Sequence, residues 1–220
     1  MLKNNSQEIL VIFRRIAVIM PFNKLRVFIL RLLGSKIGIK CSIGYNARIN
    51  KQIILGDSVI IGPSTTINCA IIGNNSIIEF GSILLSKNNP IIIGKNTYIG
   101  IYNVLEGYGG LYIGDHVHIS GPSVGIWTHS SINQCLLADN LDDETHRILA
   151  PVKIENCVWI GGKVTIYPGI CIGHHSVILP NSVVNSNIPP FSLAGGVPCK
   201  IIRKINLDEG FSINFNKNLS

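Results

Sequence analysis

Residues 37–68 read IGIKCSIGYNARINKQIILGDSVIIGPSTTIN, and an aliphatic residue returns at every sixth position. These phased positions are Ile37, Ile43, Ile49, Leu55, Ile61 and Ile67. A second strictly phased series consists of Ile154, Ile160, Ile166, Ile172, Ile178 and Val184. A fixed six-residue period is the signature of a parallel β-helix, in which each hexapeptide forms one short strand and one turn.

Three such strands make a triangular coil of about eighteen residues, and successive coils stack in parallel. The aliphatic ladders then become columns of the core, because β-branched side chains suit a pleated surface buried on one face. We expect the small residue after each aliphatic one to let the backbone bend tightly. The residues four places on, such as Val59, Thr65, Val164 and Ser176, should also point inward.

The composition agrees with this repeat. The chain has 220 residues with 22 Gly, 46% hydrophobic residues and 14% charged residues. The apolar fraction is too high for a disordered chain. The sequence contains no run of eighteen or more apolar residues, so a simple transmembrane helix is not expected. The net charge of +7 does not predict nucleic-acid binding, because the cations form no dense cluster beside aromatic residues. Six cysteines without a Cys-x-x-Cys pair predict buried free thiols in a reducing cytosol.

Residues 1–36 precede the repeat and have helical spacing. The apolar residues Leu10, Phe13, Ala17 and Met20 recur at intervals of three and four. Pro21 should divide the segment into two short helices that cover one end of the domain. An alternative is a peripheral membrane contact through residues 7–36, because Lys24, Arg26, Arg31 and Lys36 accompany the apolar face.

Residues 125–151 interrupt the six-residue period. A long loop that leaves a regular coil is usually functional. His129 lies within this interruption, and an imidazole titrates close to neutral pH, so it can take a proton from an acceptor group. By itself, this position also fits an ordinary histidine of a surface loop.

The repeat resembles the left-handed parallel β-helix acyltransferases over roughly residues 30–205. The resemblance implies an all-β fold in which residues 37–188 form the left-handed β-helix with an excursion loop at 125–151. Residues 1–36 are expected to form an N-terminal amphipathic helical segment. Residues 189–220 are expected to form a C-terminal capping segment and tail that bind the coenzyme.

Three motifs resemble the xenobiotic, maltose and galactoside acetyltransferases of this group. Trp127-Thr128-His129 matches the position of their catalytic histidine, which implies that His129 is the general base. Val158-Trp159-Ile160-Gly161 and Ala194–Arg203 match signatures that line the coenzyme A groove between neighbouring subunits. The implied acetyl-CoA contacts are Trp159, Gly161, Gly162, Pro180, Asn185, Lys200 and Arg203. The implied acceptor-binding residues are Asn103 and Glu106.

The resemblance implies an acetyl-CoA-dependent O-acetyltransferase that acts by direct transfer as a homotrimer and without a metal. Residues 24–38 are most similar to acetyltransferases of capsule, exopolysaccharide and lipopolysaccharide clusters. This favours a surface polysaccharide or its precursor as the acceptor, with the enzyme in the cytoplasm or at the inner face of the membrane.

Other interpretations remain open at this point. The same fold also serves N-acetyltransferases that act on amino sugar nucleotides, and a non-catalytic β-helix scaffold would share the repeat. His116 and His118 raise the alternative of a γ-type carbonic anhydrase with zinc bound between subunits. Cys135 and Cys199 are candidate nucleophiles for a two-step route, but neither has an adjacent base in the sequence.

Overall fold

The computed structural model describes residues 2–51, 53–87, 89–140 and 144–207, without the side chains of residues 2–7. Between residues 36 and 195 the chain winds through three parallel sheets, and three short strands complete one coil. The parallel β-helix expected from the six-residue period is therefore confirmed. The last part of the expected C-terminal segment, residues 208–220, lies outside the described residues.

The three sheets form the first, second and third faces of the solenoid. The first face contains Lys36–Ile37, Ile54–Leu55, Ala70–Ile72, Ile91–Ile93, Leu111–Ile113, Val152–Ile154 and Cys171–Ile172. The second contains Ser42–Ile43, Ile60–Ile61, Ile77–Ile78, Tyr98–Ile99, His118–Ile119, Trp159–Ile160, Val177–Ile178, Ser192–Gly195 and Lys200–Lys204. The third contains Arg48–Ile49, Thr66–Ile67, Ile83–Leu85, Val104–Glu106, Gly125–Ile126, Thr165–Ile166 and Val183–Val184.

The strand register reproduces the phase of the repeat. Ile37 lies beside Leu55, eighteen residues later, where the period is strict. Ile61 lies beside Ile78, seventeen residues later, because the sequence loses one residue between these coils. The phased aliphatic side chains are buried and form continuous columns of the core. The second inward position is also confirmed, since Val59, Thr65, Val164 and Ser176 are buried.

The glycines that follow the aliphatic residues serve a different purpose from the expected one. The left-handed backbone conformation lies two residues further on, at Asn46 (φ 58°) and Ser64 (φ 55°), and not at Gly44 or Gly62. A Cβ atom on Gly44 would lie 2.3 Å from the backbone nitrogen of Pro63 in the next coil. The small residue is therefore required by the close stacking of coils, and the expectation of a tight bend at the glycine was wrong.

This difference gives a prediction about stability. Gly44→Ala should lower the free energy of unfolding by about 1–3 kcal/mol, because the new methyl group must push two backbones apart. Asn46→Gly is the matched control, since glycine adopts a positive φ without strain and should change the stability by less than about 1 kcal/mol. Urea unfolding followed by circular dichroism measures both. Equal effects of the two substitutions would contradict the stacking explanation.

Two helices, α1 (Leu2–Ile19) and α2 (Asn23–Leu32), cover the N-terminal end of the solenoid. The predicted break at Pro21 is confirmed. The Asn23 side chain donates to the carbonyl of Cys41 (3.0 Å) and accepts from the backbone N–H of Ile43 (2.9 Å). Arg26 donates from Nε to the carbonyl of Ile43 at 2.7 Å. Polar side chains of α2 thus form hydrogen bonds with the outward-facing backbone groups of Ser42–Ile43 and its neighbour Cys41, at the first strand of the second face.

Arg26 is buried by these contacts, so it does not accompany the solvent-facing apolar residues as expected from the sequence. Within the described residues, neither of these helices combines the length and hydropathy that a membrane crossing needs. At the other end of the solenoid, Lys200–Lys204 turns back and pairs antiparallel with Ser192–Gly195. This pairing occupies an edge that would otherwise present free backbone donors and acceptors.

Candidate active site

The excursion loop begins where the third face should continue into the first. Gly125–Ile126 still belongs to the third face, so the chain leaves the solenoid at Trp127, slightly later than expected. His129–Ser130 then pairs antiparallel with Ile148–Leu149. This pair closes the neck of the loop, and the short helix α3 (Ile132–Leu136) lies inside it. The neck fixes the backbone of His129 against the body of the solenoid.

Glu106 is the direct partner of His129. Nδ1 of the imidazole lies 2.9 Å from Oε2 of the carboxylate. The Glu106 side chain is 1% exposed, whereas the His129 side chain is 25% exposed and reaches solvent. The Tyr108 ring lies beside the imidazole with a centroid separation of 5.2 Å. The imidazole is thus held by an interior carboxylate and keeps an accessible side.

The buried Glu106 carboxylate has a full set of donors. Oε2 accepts from the backbone N–H of Thr128 (2.8 Å) and from its hydroxyl (3.0 Å), and Oε1 accepts from the backbone N–H of Tyr108. Burial by itself would raise the pKa of Glu106, but the hydrogen bonds from His129, Thr128 and Tyr108 together outweigh it and lower the pKa. The carboxylate is therefore ionised at neutral pH.

Stacking of two coils brings this carboxylate to the neck. Leu105 lies beside Ile126 in the third face, so Glu106 lies beside Trp127 and close to Thr128 and His129. Gly109 approaches the same turn, with its N–H on the Thr128 hydroxyl at 2.9 Å. A Cβ atom on Gly109 would lie 2.2 Å from the Thr128 carbonyl, so the close packing of this turn requires glycine.

The geometry gives His129 the chemistry of a general base. An ionised Glu106 only accepts hydrogen bonds, so in a neutral imidazole Nδ1 holds the proton and Nε2 has a free lone pair. An oriented imidazole of this kind can remove a proton from a hydroxyl or amine that approaches Nε2. Glu106 is therefore a positioning residue for His129. The sequence-based expectation that Glu106 binds the acceptor does not agree with its interior position.

Asn103 also differs from its expected role at the acceptor. It is fully buried, and its Nδ2 donates to the carbonyls of Gly100 and Ser120, each at 3.1 Å. Its Oδ1 accepts from the backbone N–H of Val124 at 2.9 Å. Both polar atoms of its side chain form hydrogen bonds within and between two adjacent coils, so neither is available to bind an acceptor. This correction follows from the inward direction of its side chain.

The residues expected to bind the coenzyme do not lie at the corner of the solenoid where the chain leaves toward His129. Trp159 is half-buried on the second face, next to His118 with ring centroids 6.5 Å apart. Gly161 and Gly162 follow it at the corner between the second and third faces. Pro180 occupies the next coil, and its nitrogen lies 2.6 Å from the position of a Cβ atom on Gly161. Pro180, eighteen residues after Gly162, is thus stacked on the Gly161–Gly162 corner and forms one ridge with it.

Three further expected contacts are exposed at the C-terminal end. Asn185 follows the last strand of the third face, and Lys200 and Arg203 lie on the antiparallel strand Lys200–Lys204. Within one chain the structure does not bring the Gly161–Gly162 ridge to His129. They lie at opposite edges of the third face, because His129 leaves at the corner between the third and first faces.

The remaining histidines and cysteines do not form a second centre. His118 stacks on Tyr98 with ring centroids 4.6 Å apart, and burial lowers its pKa. His116 contacts the Asn96 amide, and His146 contacts Asp139 within the excursion loop. Among the described residues, no three His, Cys, Asp or Glu side chains are arranged as ligands for a metal ion.

The two candidate nucleophiles lie in different surroundings. Cys135 lies on α3 and is exposed, whereas Cys199 is buried. Burial raises the pKa of the Cys199 thiol, which disfavours the reactive thiolate. All six cysteines are free thiols, but only Cys41 and Cys199 are buried, so the expected burial is wrong for the other four.

Comparison with known proteins gives a sequence relative and structural neighbours. Galactoside O-acetyltransferase of Escherichia coli is 36% identical over 138 residues, which are 62% of this chain and 64% of that protein. The alignment thus spans just under two thirds of the length of this curated relative. No protein-family model matches the chain.

Two structures of the N-acyltransferase AntD from Bacillus cereus share the fold. A variant in complex with dTDP and coenzyme A has a TM-score of 0.61 and 22% identity, over 81% of this chain and 89% of that one. AntD with dTDP and 3-hydroxybutyryl-CoA has a TM-score of 0.56 and 21% identity, over 81% and 88%. The chain is thus a hexapeptide-repeat β-solenoid that is related in sequence to the galactoside O-acetyltransferase of Escherichia coli.

Proposed function

We propose that this protein is an acetyl-CoA-dependent O-acetyltransferase that acetylates a sugar hydroxyl. The observation that supports this most is the contact of 2.9 Å between His129 and the buried carboxylate of Glu106 at the neck of the excursion loop. The sequence relationship to a galactoside O-acetyltransferase supports the same chemistry.

The proposed mechanism is direct transfer. Nε2 of His129 takes the proton of the acceptor hydroxyl while the hydroxyl oxygen attacks the carbonyl carbon of the acetyl thioester. The carbon–sulfur bond then breaks, and the imidazolium returns its proton to the departing thiolate. Glu106 holds the imidazole ring in one tautomer and stabilises the positive charge that it gains. No acyl-enzyme is formed.

We infer a homotrimer in which the coenzyme lies between neighbouring copies. The Gly161–Gly162 ridge and His129 occupy opposite edges of the third face, so one chain does not bring the expected coenzyme residues to its own base. A neighbouring copy packed side by side would supply the missing half of the site. A monomer in light scattering of the active enzyme would contradict this arrangement.

Lys200 and Arg203 are proposed to face the coenzyme phosphates. The double substitution Lys200→Ala with Arg203→Ala should raise the KM for acetyl-CoA by about tenfold or more, because two charge-assisted hydrogen bonds are lost. Lys204→Ala is the matched control on the same exposed strand. A register shift in this strand pairs Lys200 with Gly195 and Arg203 with Leu193, which share one side of their strand, whereas Lys204 pairs with Ser192 on the other side. Steady-state kinetics distinguish them, and an unchanged KM in the double variant would refute the assignment.

We propose a surface polysaccharide or its precursor as the acceptor, and a cytoplasmic location. The resemblance of residues 24–38 to acetyltransferases of polysaccharide clusters supports the acceptor, and six free cysteines support a reducing compartment. Purified protein should be incubated with acetyl-CoA and a panel of hydroxyl sugars, amino sugar nucleotides and isolated polysaccharide. Mass spectrometry should find one acetyl group on a hydroxyl. Transfer to amino groups alone, or no transfer, would contradict the proposal.

A further inference from the structure

We propose that the outer surface of α1 and α2 binds the surface of an anionic phospholipid membrane. This surface, called the apolar cap face, consists of side chains that are 39–71% exposed. Its members are Ile9, Ile12, Phe13, Ile16, Ile19, Phe22, Leu25, Phe28 and Leu32. The residues on the opposite side of the same helices, such as Ala17 and Leu30, are buried against the solenoid.

The helix period explains the two faces. In α1 the exposed positions Ile9, Ile12, Ile16 and Ile19 recur every three or four residues, and so do the buried positions. An ordinary surface helix would place polar residues on its outer side. These helices have an apolar stripe on both sides, so the inner stripe packs on the solenoid and the outer one has no partner within the described chain.

The charge of the chain is concentrated at the same end. Between Glu8 and Asp57 the sequence contains nine Lys or Arg and no Asp or Glu. Residues 1–56 therefore have a net charge of +9 (ten basic, one acidic), and residues 57–220 have −2 (nine basic, eleven acidic). Seven of the nine cations are exposed: Arg15, Lys24, Arg31, Lys36, Lys40, Arg48 and Lys51.

The apolar cap face combines exposed apolar side chains with nearby cations, and this combination indicates which kind of partner can bind there. A second copy that packed through the same face would bring two strongly positive ends together, which costs free energy. An anionic lipid surface attracts those cations and also accepts Phe and Ile side chains at the boundary between headgroups and acyl chains. The helices would lie in the plane of that surface and not cross it.

Vesicle binding tests the proposal directly. Full-length protein should sediment with vesicles of mixed phosphatidylcholine and phosphatidylglycerol, sediment much less with phosphatidylcholine alone, and be released by high salt. Phe13→Ser with Phe28→Ser should lower the partition coefficient on mixed vesicles by about tenfold or more. Arg15→Glu with Lys24→Glu should have a similar effect, since each cation near the surface contributes about fivefold.

Matched substitutions on the solenoid body control for general changes. Tyr112→Ser removes one comparably exposed aromatic side chain from the first face, and Lys95→Glu reverses one charge, so they are compared with the single cap substitutions Phe28→Ser and Lys24→Glu. Both should bind vesicles like the parent, and circular dichroism should show unchanged melting for every variant. Equal binding to both vesicle types, or equal effects of cap and control variants, would overturn the proposal.

Self-association is the remaining outcome. If the cap variants break an oligomer in light scattering while the parent binds no vesicles, a second copy covers the face and the proposal is wrong. The assay needs neither acetyl-CoA nor an acceptor. Its failure therefore leaves the proposed transferase activity untouched, and a failed transfer assay leaves membrane binding untouched.

Discussion

His129→Ala should lower kcat for acetyl transfer by about 10²–10⁴-fold, because the acceptor hydroxyl loses the base that removes its proton. The KM for acetyl-CoA should change little, because the imidazole is not among the expected coenzyme contacts. The melting temperature should fall, because the buried Glu106 carboxylate loses one of its donors. Stopped-time assays with a mass-spectrometric readout measure the rate, and the thermal shift on adding coenzyme A measures binding.

His146→Ala provides the matched control for this experiment. His146 lies in the same excursion loop and also contacts a carboxylate, with Nδ1 2.7 Å from Oδ2 of Asp139, but its side chain is about half exposed. Its loss should change kcat by less than about twofold, in line with other surface substitutions. Full turnover by His129→Ala, or equal losses in the two variants, would remove His129 from the mechanism.

The sequence predicts the fold because the six-residue period is a direct record of the geometry. Each phased aliphatic residue has one neighbour above and one below, so a column of identical types appears at fixed spacing. The interruption at residues 125–151 is also visible without any structure. It contains both His129 and His146, however, and only the resemblance of Trp127-Thr128-His129 to a known motif makes His129 the candidate. What the period does not reveal is the contact between coils where the phase slips.

Asn103 and Glu106 lie on the two sides of this limit. Asn103 stands four residues after Ile99, the same inward position as Val59 after Leu55, so the repeat itself could have placed it in the core. Glu106 lies 23 residues from His129, and only the register that pairs Leu105 with Ile126 brings them together. Irregular spacing between residues 78 and 126 hides that register in the sequence.

Glu106→Gln should lower kcat by about 10–100-fold while leaving the KM for acetyl-CoA unchanged. Glutamine matches the shape of glutamate, but its amide has one acceptor oxygen in place of two and no charge. The donors of Thr128, Tyr108 and His129 can then no longer all be satisfied. The imidazole loses the partner that fixes its tautomer and stabilises the charge that it acquires. A purely structural role would lower stability without this selective loss in kcat.

Because the pKa of Glu106 is lowered in the folded state, the free energy of unfolding should decrease as the pH falls. A carboxyl whose pKa is lower in the folded state stabilises the fold at a pH above its unfolded value. That contribution disappears as the pH falls through the folded value. The parent should therefore exceed Glu106→Gln in unfolding free energy by about 1.5–3 kcal/mol at neutral pH, the range for hydrogen bonds to charged groups. Upon acidification the difference should shrink.

Glu144→Gln is the charge-matched control for both measurements. Glu144 lies in the excursion loop with its side chain about half exposed, and its pKa is lowered by hydrogen bonding to Lys87 at the surface. A surface ion pair of this kind contributes little to stability, so its loss should alter neither kcat nor the unfolding free energy appreciably. If Glu106→Gln behaved like Glu144→Gln, with full kcat and no pH-dependent loss of stability, the carboxylate could not be the group that orients His129. The acceptor proton would then have to leave through an imidazole held only by the neck of the loop.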